Sequence, residues 1–186
     1  MKILIVTGMS GAGKTQTVNA LEDLGCFCVD NMPPELIPKF AEICSRAENT
    51  EKMVAIVCDI RGGKLFGELT GKLEKLEDFG YEYEILFLEA SDEVLLKRYK
   101  ETRREHPLAI GGRIPDGIQQ ERKLLSGLRE NANHIIDTSL LSTGQLKEMI
   151  ISAYGETQSY TGMMLHLVSF GFKNGIPMDS DLVFDV

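Results

Sequence analysis

Apolar residues in this chain fall into short runs separated by longer amphipathic stretches, and the two patterns alternate along most of its length. Ile3-Leu4-Ile5-Val6, within residues 2–7, is a β-branched-rich run of the kind that makes a strand buried on both faces. Val18, Leu21 and Leu24 then recur at helical spacing, which predicts a helix over residues 17–24 with Gly25 as its stop. A second strand is expected over residues 26–29, after which Pro33-Pro34 turn the chain into a helix from about residue 35 to 45. Residues 46–52 are polar and lead to the third strand, Met53-Val54-Ala55-Ile56-Val57-Cys58.

Gly62-Gly63 break the chain, and Phe66, Leu69, Leu73 and Leu76 mark a helix that ends near Gly80. Ile85-Leu86-Phe87-Leu88 is the fourth strand. Ser91 is placed to cap the next helix, with Asp92 and Glu93 favourable against its dipole and a charged end that runs to Arg104. Residues 105–115 contain two prolines and Gly111-Gly112, a composition that reads as a mobile loop rather than packed structure. A helix over residues 117–130 and a short strand, His134-Ile135-Ile136, come next. Ser142 with Gln145 forms a capping-box pattern for a last helix to about Tyr154.

Five strands alternating with helices imply an α/β fold, a mainly parallel sheet covered on both faces with right-handed crossovers. Ligands in such sheets bind beyond the carboxyl ends of the strands, where Asp30, Asp59 and Asp137 each follow a strand. From Tyr160 the pattern changes to two strand-like segments, residues 163–168 and 182–184, with no helix between them. The chain therefore divides into residues 1–156 and residues 157–186, the latter an edge hairpin or the opening of a second domain that is incomplete at Val186.

Between the first strand and the first helix stands Gly8-Met9-Ser10-Gly11-Ala12-Gly13-Lys14-Thr15, a complete G-x-x-x-x-G-K-[ST] in the structural context a phosphate-binding loop requires. Triphosphate oxygens need several backbone N–H groups converging on them. Glycines at 8, 11 and 13 let a loop wrap the anion without side-chain clash. The following helix adds unpaired N–H groups and the positive end of its dipole. Lys14 then supplies a point charge for the β- and γ-phosphates, and the Thr15 hydroxyl a ligand for Mg²⁺.

Composition narrows the picture only a little. Hydrophobic residues at 43% and charged residues at 26% are ordinary for a globular protein. No apolar run approaches a membrane span, and the amino terminus leads straight into a strand, so a cytoplasmic chain without membrane association is expected. The net charge of −8 argues against a general nucleic-acid binder, although Arg98, Lys100, Arg103, Arg104 and Arg113 concentrate positive charge locally. Cys26, Cys28, Cys44 and Cys58 lie in or beside apolar segments, and His106, His134 and His166 supply no second ligand pair at zinc spacing. Reduced core thiols are expected.

The sequence resembles the RapZ family of P-loop nucleotide-binding proteins, also called the YvcJ family. The resemblance rests on the glycine loop at 8–15, Leu21-Glu22-Asp23-Leu24-Gly25, Cys28-Val29-Asp30-Asn31-Met32-Pro33, Asp59-Ile60-Arg61-Gly62, His106-Pro107-Leu108, Ser169-Phe170-Gly171-Phe172-Lys173 and Asp181-Leu182-Val183-Phe184-Asp185-Val186. It implies a nucleoside-kinase-like P-loop domain that binds and slowly hydrolyses ATP and GTP. In that family the glycine loop is assigned to ATP, and the segment matching Asp59, Ile60, Arg61 and Gly62 to GTP. A known member presents a small regulatory RNA to a ribonuclease and senses an amino-sugar phosphate, mainly through a carboxyl-terminal domain. This sequence departs from the family there, because it ends within the opening motif of that domain.

Individual residues carry competing readings. Asp59 suits a Walker-B carboxylate that holds Mg²⁺, or a strand-end aspartate capping the turn before Gly62-Gly63. Asp30 suits a base toward an acceptor hydroxyl, or an Asx turn into the proline pair. Arg98, Arg103, Arg104 and Arg113 suit a lid that neutralises charge during γ-phosphoryl transfer, or a solvated helix face. His106 reads as a turn residue, and His134 and His166 as structural residues of apolar strands. The leading expectation is a slow, regulatory Mg²⁺-dependent ATPase/GTPase. The alternatives are a kinase for a small metabolite and a nucleotide sensor without turnover, and exposed apolar ends point to self-association.

Overall fold

The computed structural model describes residues 2–46, 53–59, 69–155, 169–171 and 182–184, with Thr70 described in its backbone alone. The calls for Gly62-Gly63, Phe66, His166 and the strand at 163–168 lie outside these residues. Leu182, Val183 and Phe184 are described, without the strand structure expected of them, and exposed.

Five parallel strands form one sheet: β1 (Ile3–Gly8), β2 (Phe27–Val29), β3 (Val54–Val57), β4 (Tyr83–Glu89) and β5 (His134–Asp137), in the spatial order β2-β3-β1-β4-β5. β1 lies in the middle. Ile3 to Val6 face Val54 to Val57 on one side and Tyr83 to Leu86 on the other, and every residue of β1 is buried. A continuous apolar run has no polar face to offer solvent, so it takes the centre of the sheet.

The helices are α1 (Lys14–Asp23), α2 (Ile37–Arg46, entered through a 3₁₀ turn at Pro34–Leu36), α3 (Leu69–Asp78), α4 (Asp92–Thr102), α5 (Ile114–Glu130) and α6 (Thr143–Tyr154). α1 packs on α6, α2 on α3 and α4 on α5. Right-handed crossovers over this strand order put α1 on one face and α2 to α5 on the opposite one, and α6, packed on α1, lies on the α1 face. One core runs through both layers, from Leu21 and Ile150 on the α1–α6 side to Leu73, Leu95 and Leu125 on the other.

Several local expectations shift by a turn. α1 begins at Lys14, three residues before the expected start, because Gly13 in a left-handed conformation turns the loop directly into the helix. α5 begins at Ile114, so Pro115 opens a helix instead of closing a loop. The capping box at Ser142 forms on both sides, Gln145 N donating to Ser142 Oγ at 3.2 Å and Ser142 N to Gln145 Oε1 at 2.9 Å. β5 is an edge strand with His134 and Ile135 exposed. His134 is therefore half in solvent, its ring edge-on to Tyr154 at 5.9 Å and its Nε2 3.7 Å from Glu84 Oε2, not enclosed in an apolar strand.

Candidate functional site

The loop joining β1 to α1 crosses the carboxyl end of the sheet. Gly8, Gly11 and Gly13 have φ of 132°, 86° and 110°, the left-handed region that side chains disfavour. At Gly8 a Cβ would also fall inside the backbone of Leu88 on β4, so glycine is required twice over. Met9 is anchored by its amide to Leu88 O at 2.9 Å and buries its side chain in the core. α1 carries no acidic residue in its first turn, whereas α4 has Asp92 and Glu93 there. The positive end of the α1 dipole is thus left for something else.

Lys14 Nζ donates to Gly8 O at 2.7 Å and Met9 O at 3.1 Å, and stands 3.9 Å from Asp59 Oδ2. Asp59 directly follows Cys58, whose amide donates to Val6 O at 3.0 Å and so extends the β1–β3 pairing to the sheet edge. A cavity of about 440 Å³ opens over this edge, lined by Ser10, Gly11, Ala12, Gly13, Lys14 and Thr15 of the loop, by Asp59, and by residues of α4 and of the β5–α6 connection. Ile60, Arg61 and Gly62 lie outside the described residues.

The four arginines do not act as one group. Arg98 and Arg104 line the cavity. Arg103 caps α4 with φ of 51° and Arg113 precedes α5, both exposed and outside the cavity lining. Arg98 is tied down: Nη1 donates to Gly11 O and to Thr138 Oγ1, each at 3.0 Å, and Nη2 to Thr138 O at 2.8 Å. Thr138 Oγ1 in turn donates to Ala12 O at 2.9 Å. These bonds hold the carbonyl side of the glycine loop. Asp30 is exposed at the end of β2, accepts from Asn31 N at 2.7 Å, and does not line the cavity, the geometry of a local turn. Asp137 accepts from Ser139 N at 2.9 Å and from the Ser139 hydroxyl, bonds that hold its carboxyl below the usual range.

Residues 105–113 correct the expectation of a loose, unpacked loop. His106 is fully buried, its carbonyl accepts from Ala109 N at 2.9 Å in a tight turn, and Leu108 packs against the core. What holds His106 is Glu121 of α5, also fully buried, at 3.0 Å from His106 Nε2. The same carboxylate accepts from Ser10 N and Ser10 Oγ in the glycine loop. Neither Glu121 nor Thr138 is singled out by a sequence motif. For Glu121 a signal exists: it interrupts an apolar stripe of Ile118, Leu125 and Leu128 at helical spacing.

A glycine loop between the central strand and a helix start, with a lysine and a strand-end aspartate over it, defines a P-loop domain with the architecture of the small P-loop kinases. A shikimate kinase from Bacteroides thetaiotaomicron superposes with a TM-score of 0.55 at 17% identity, over 81% of this chain and 95% of that one. The YorR protein of Bacillus subtilis, solved with phosphorylated GDP, superposes with a TM-score of 0.55 at 16% identity, over 81% and 94%. The model of the RapZ-like N-terminal domain matches residues 1–158, and the chain belongs to that family. A nucleotide-binding protein of Acetivibrio thermocellus is 57% identical over 186 residues, all of this chain and 64% of that protein. One from Clostridium acetobutylicum is 57% identical over 187 residues, with the same shares covered. The chain thus spans 64% of the length of these curated relatives.

Proposed function

We propose that this chain binds ATP at the glycine loop and, following the family's assignment, GTP through residues 59–62, with Mg²⁺, and hydrolyses both slowly, in a regulatory role in the cytoplasm. The observation that carries the reading is the loop itself. Two left-handed glycines, Gly11 and Gly13, and an acid-free helix start face one cavity, with Lys14 3.9 Å from Asp59. On this reading Lys14 leaves the loop carbonyls it now contacts and meets the β- and γ-phosphates, charges that its ammonium satisfies better than neutral oxygens.

Thr15 and Asp59 are hard oxygen donors bordering the same cavity, a donor set that suits Mg²⁺. Bound there, the ion would neutralise charge on the phosphates. Arg98 serves by holding the loop through Gly11 and Thr138, and Arg104 is the cavity arginine left to meet developing negative charge. Arg103 and Arg113, exposed and outside the cavity lining, take no part in the proposed chemistry. The GTP assignment to residues 59–62 enters the proposal by resemblance, and an RNA or ribonuclease partner enters it only for a chain of the relatives' full length.

The alternatives are a metabolite kinase, with Asp30 as base, and a sensor without turnover. Asp30 lies outside the cavity lining, and for that reason we rank hydrolysis first. The test follows γ-labelled ATP or GTP with the wild type and Lys14→Ala, with and without a metabolite extract. Free labelled phosphate without extract, reduced on the order of 100-fold in the variant, is the expected result. Label on a metabolite would make the protein a kinase. Bound but intact nucleotide would make it a sensor.

A further inference from the structure

Glu121 is a carboxylate buried inside a helix stripe that is otherwise apolar, a placement that is strongly unfavourable unless donors surround it. Three donors do. Ser10 N lies 3.0 Å from Oε1 and 3.1 Å from Oε2, Ser10 Oγ 2.7 Å from Oε1, and His106 Nε2 3.0 Å from Oε2. His106 Nδ1 accepts from Leu108 N at 3.2 Å, which assigns the ring proton to Nε2 and makes the ring a neutral donor. The carboxylate therefore only accepts, the pattern of its ionised form.

The three residues of this network belong to three elements. Ser10 is in the glycine loop, His106 in the 103–113 segment that brings Arg104 to the cavity, and Glu121 in α5. His106 also lies against Tyr99 of α4, ring centroids 5.1 Å apart, and Tyr99 lines the cavity. Gly117 makes room for the ring, since a Cβ there would come within 2.5 Å of His106 Nδ1. Glu121 and His106 themselves are absent from the cavity lining.

We propose that Glu121 and His106 are a positioning pair that fixes the glycine loop through Ser10 and couples its occupancy to the 103–113 segment. This rests on the loop's binding nucleotide. Two physical accounts of Glu121 predict opposite signs. A buried anion acting through space would repel phosphate, so neutralising it would tighten binding. A positioning carboxylate holds the loop amide, so neutralising it releases the loop and weakens binding.

The test uses the full chain as wild type, Glu121→Gln, His106→Leu, His106→Gln and Ser10→Ala. Affinity for Mg·ATP or Mg·GTP is measured by calorimetry, and amide exchange is followed over residues 103–113. In the wild type, nucleotide is expected to raise protection at the Leu108 amide and its neighbours. Glu121→Gln and His106→Leu are expected to weaken binding about tenfold and abolish that change. His106→Gln, which keeps a donor for Glu121, should recover most of both. Should the core variants fail to fold, Ser10→Ala removes only the 2.7 Å hydroxyl bond and is expected to lose affinity about threefold.

Folded variants with wild-type or tighter affinity, or with the nucleotide-dependent protection intact, would overturn the pairing. A wild type that binds no nucleotide would instead defeat the functional reading, and the pairing with it.

Discussion

Gly8 and Gly25 share a positive φ, 132° and 79°, yet a methyl group meets different surroundings at each. At Gly8 it overlaps the backbone of Leu88, and at Gly25 nothing lies within 4 Å. Gly25→Ala should cost only conformational strain, on the order of 1 kcal/mol in urea unfolding. Gly8→Ala must in addition push β1 from β4 and should cost on the order of 3 kcal/mol or more. Equal losses would mean that the close approach of loop and strand is wrong. Cys58 offers a second check. Burial, and then the adjacent Asp59 carboxylate, push its thiol up to about 12. Its contribution to stability is fully present below the ordinary thiol value of 9.0 and is lost as pH rises toward 12. Native Cys58 should accordingly react with a thiol reagent at pH 8 only at the rate of global unfolding, later than the half-buried Cys26 and Cys44.

Elements were legible where one local cause decides them. Ser91 and Ser142 announce their helices because a side-chain cap is a short-range device, and both caps form. Ser142→Ala should lower stability by about 1 kcal/mol in chemical unfolding, while Gln145→Ala, which leaves the Ser142 Oγ bond in place, should cost less. The segment before α5 misled for the opposite reason. Glycine and proline there are local signals of a loop, but His106 is held by a carboxylate 15 positions on, a contact no window of sequence reports. The arginine cluster shows the same limit. Sequence brings Arg98, Arg103, Arg104 and Arg113 together, and the end of α4 then sends Arg98 to Gly11 and Thr138 while Arg103 turns outward. Thr138 itself carries no motif, since its bonds to Ala12 and Glu89 exist only once β5 lies beside β4.

At the scale of the whole molecule, a central buried strand with a glycine loop at its end was readable because the apolar run and the loop are contiguous. The full strand order was not, beyond the expected adjacency of the strand ending at Asp59 to the first, since it depends on which crossovers pack. That order sets Asp59 next to the loop, one strand away, and Asp30 a further strand off. Ligand binding at such a junction should stabilise the fold by mass action, about 2.7 kcal/mol at a nucleotide concentration 100 times Kd, and raise Tm accordingly.

The most direct measurement is a calorimetric titration of Mg·ATP and Mg·GTP into the wild type and Lys14→Ala. The account predicts saturable one-to-one binding to the wild type, weakened about tenfold or more by the substitution and by chelation of Mg²⁺. Binding of equal strength in Lys14→Ala, or none in the wild type, would contradict it, because the loop would then not be where the phosphates sit.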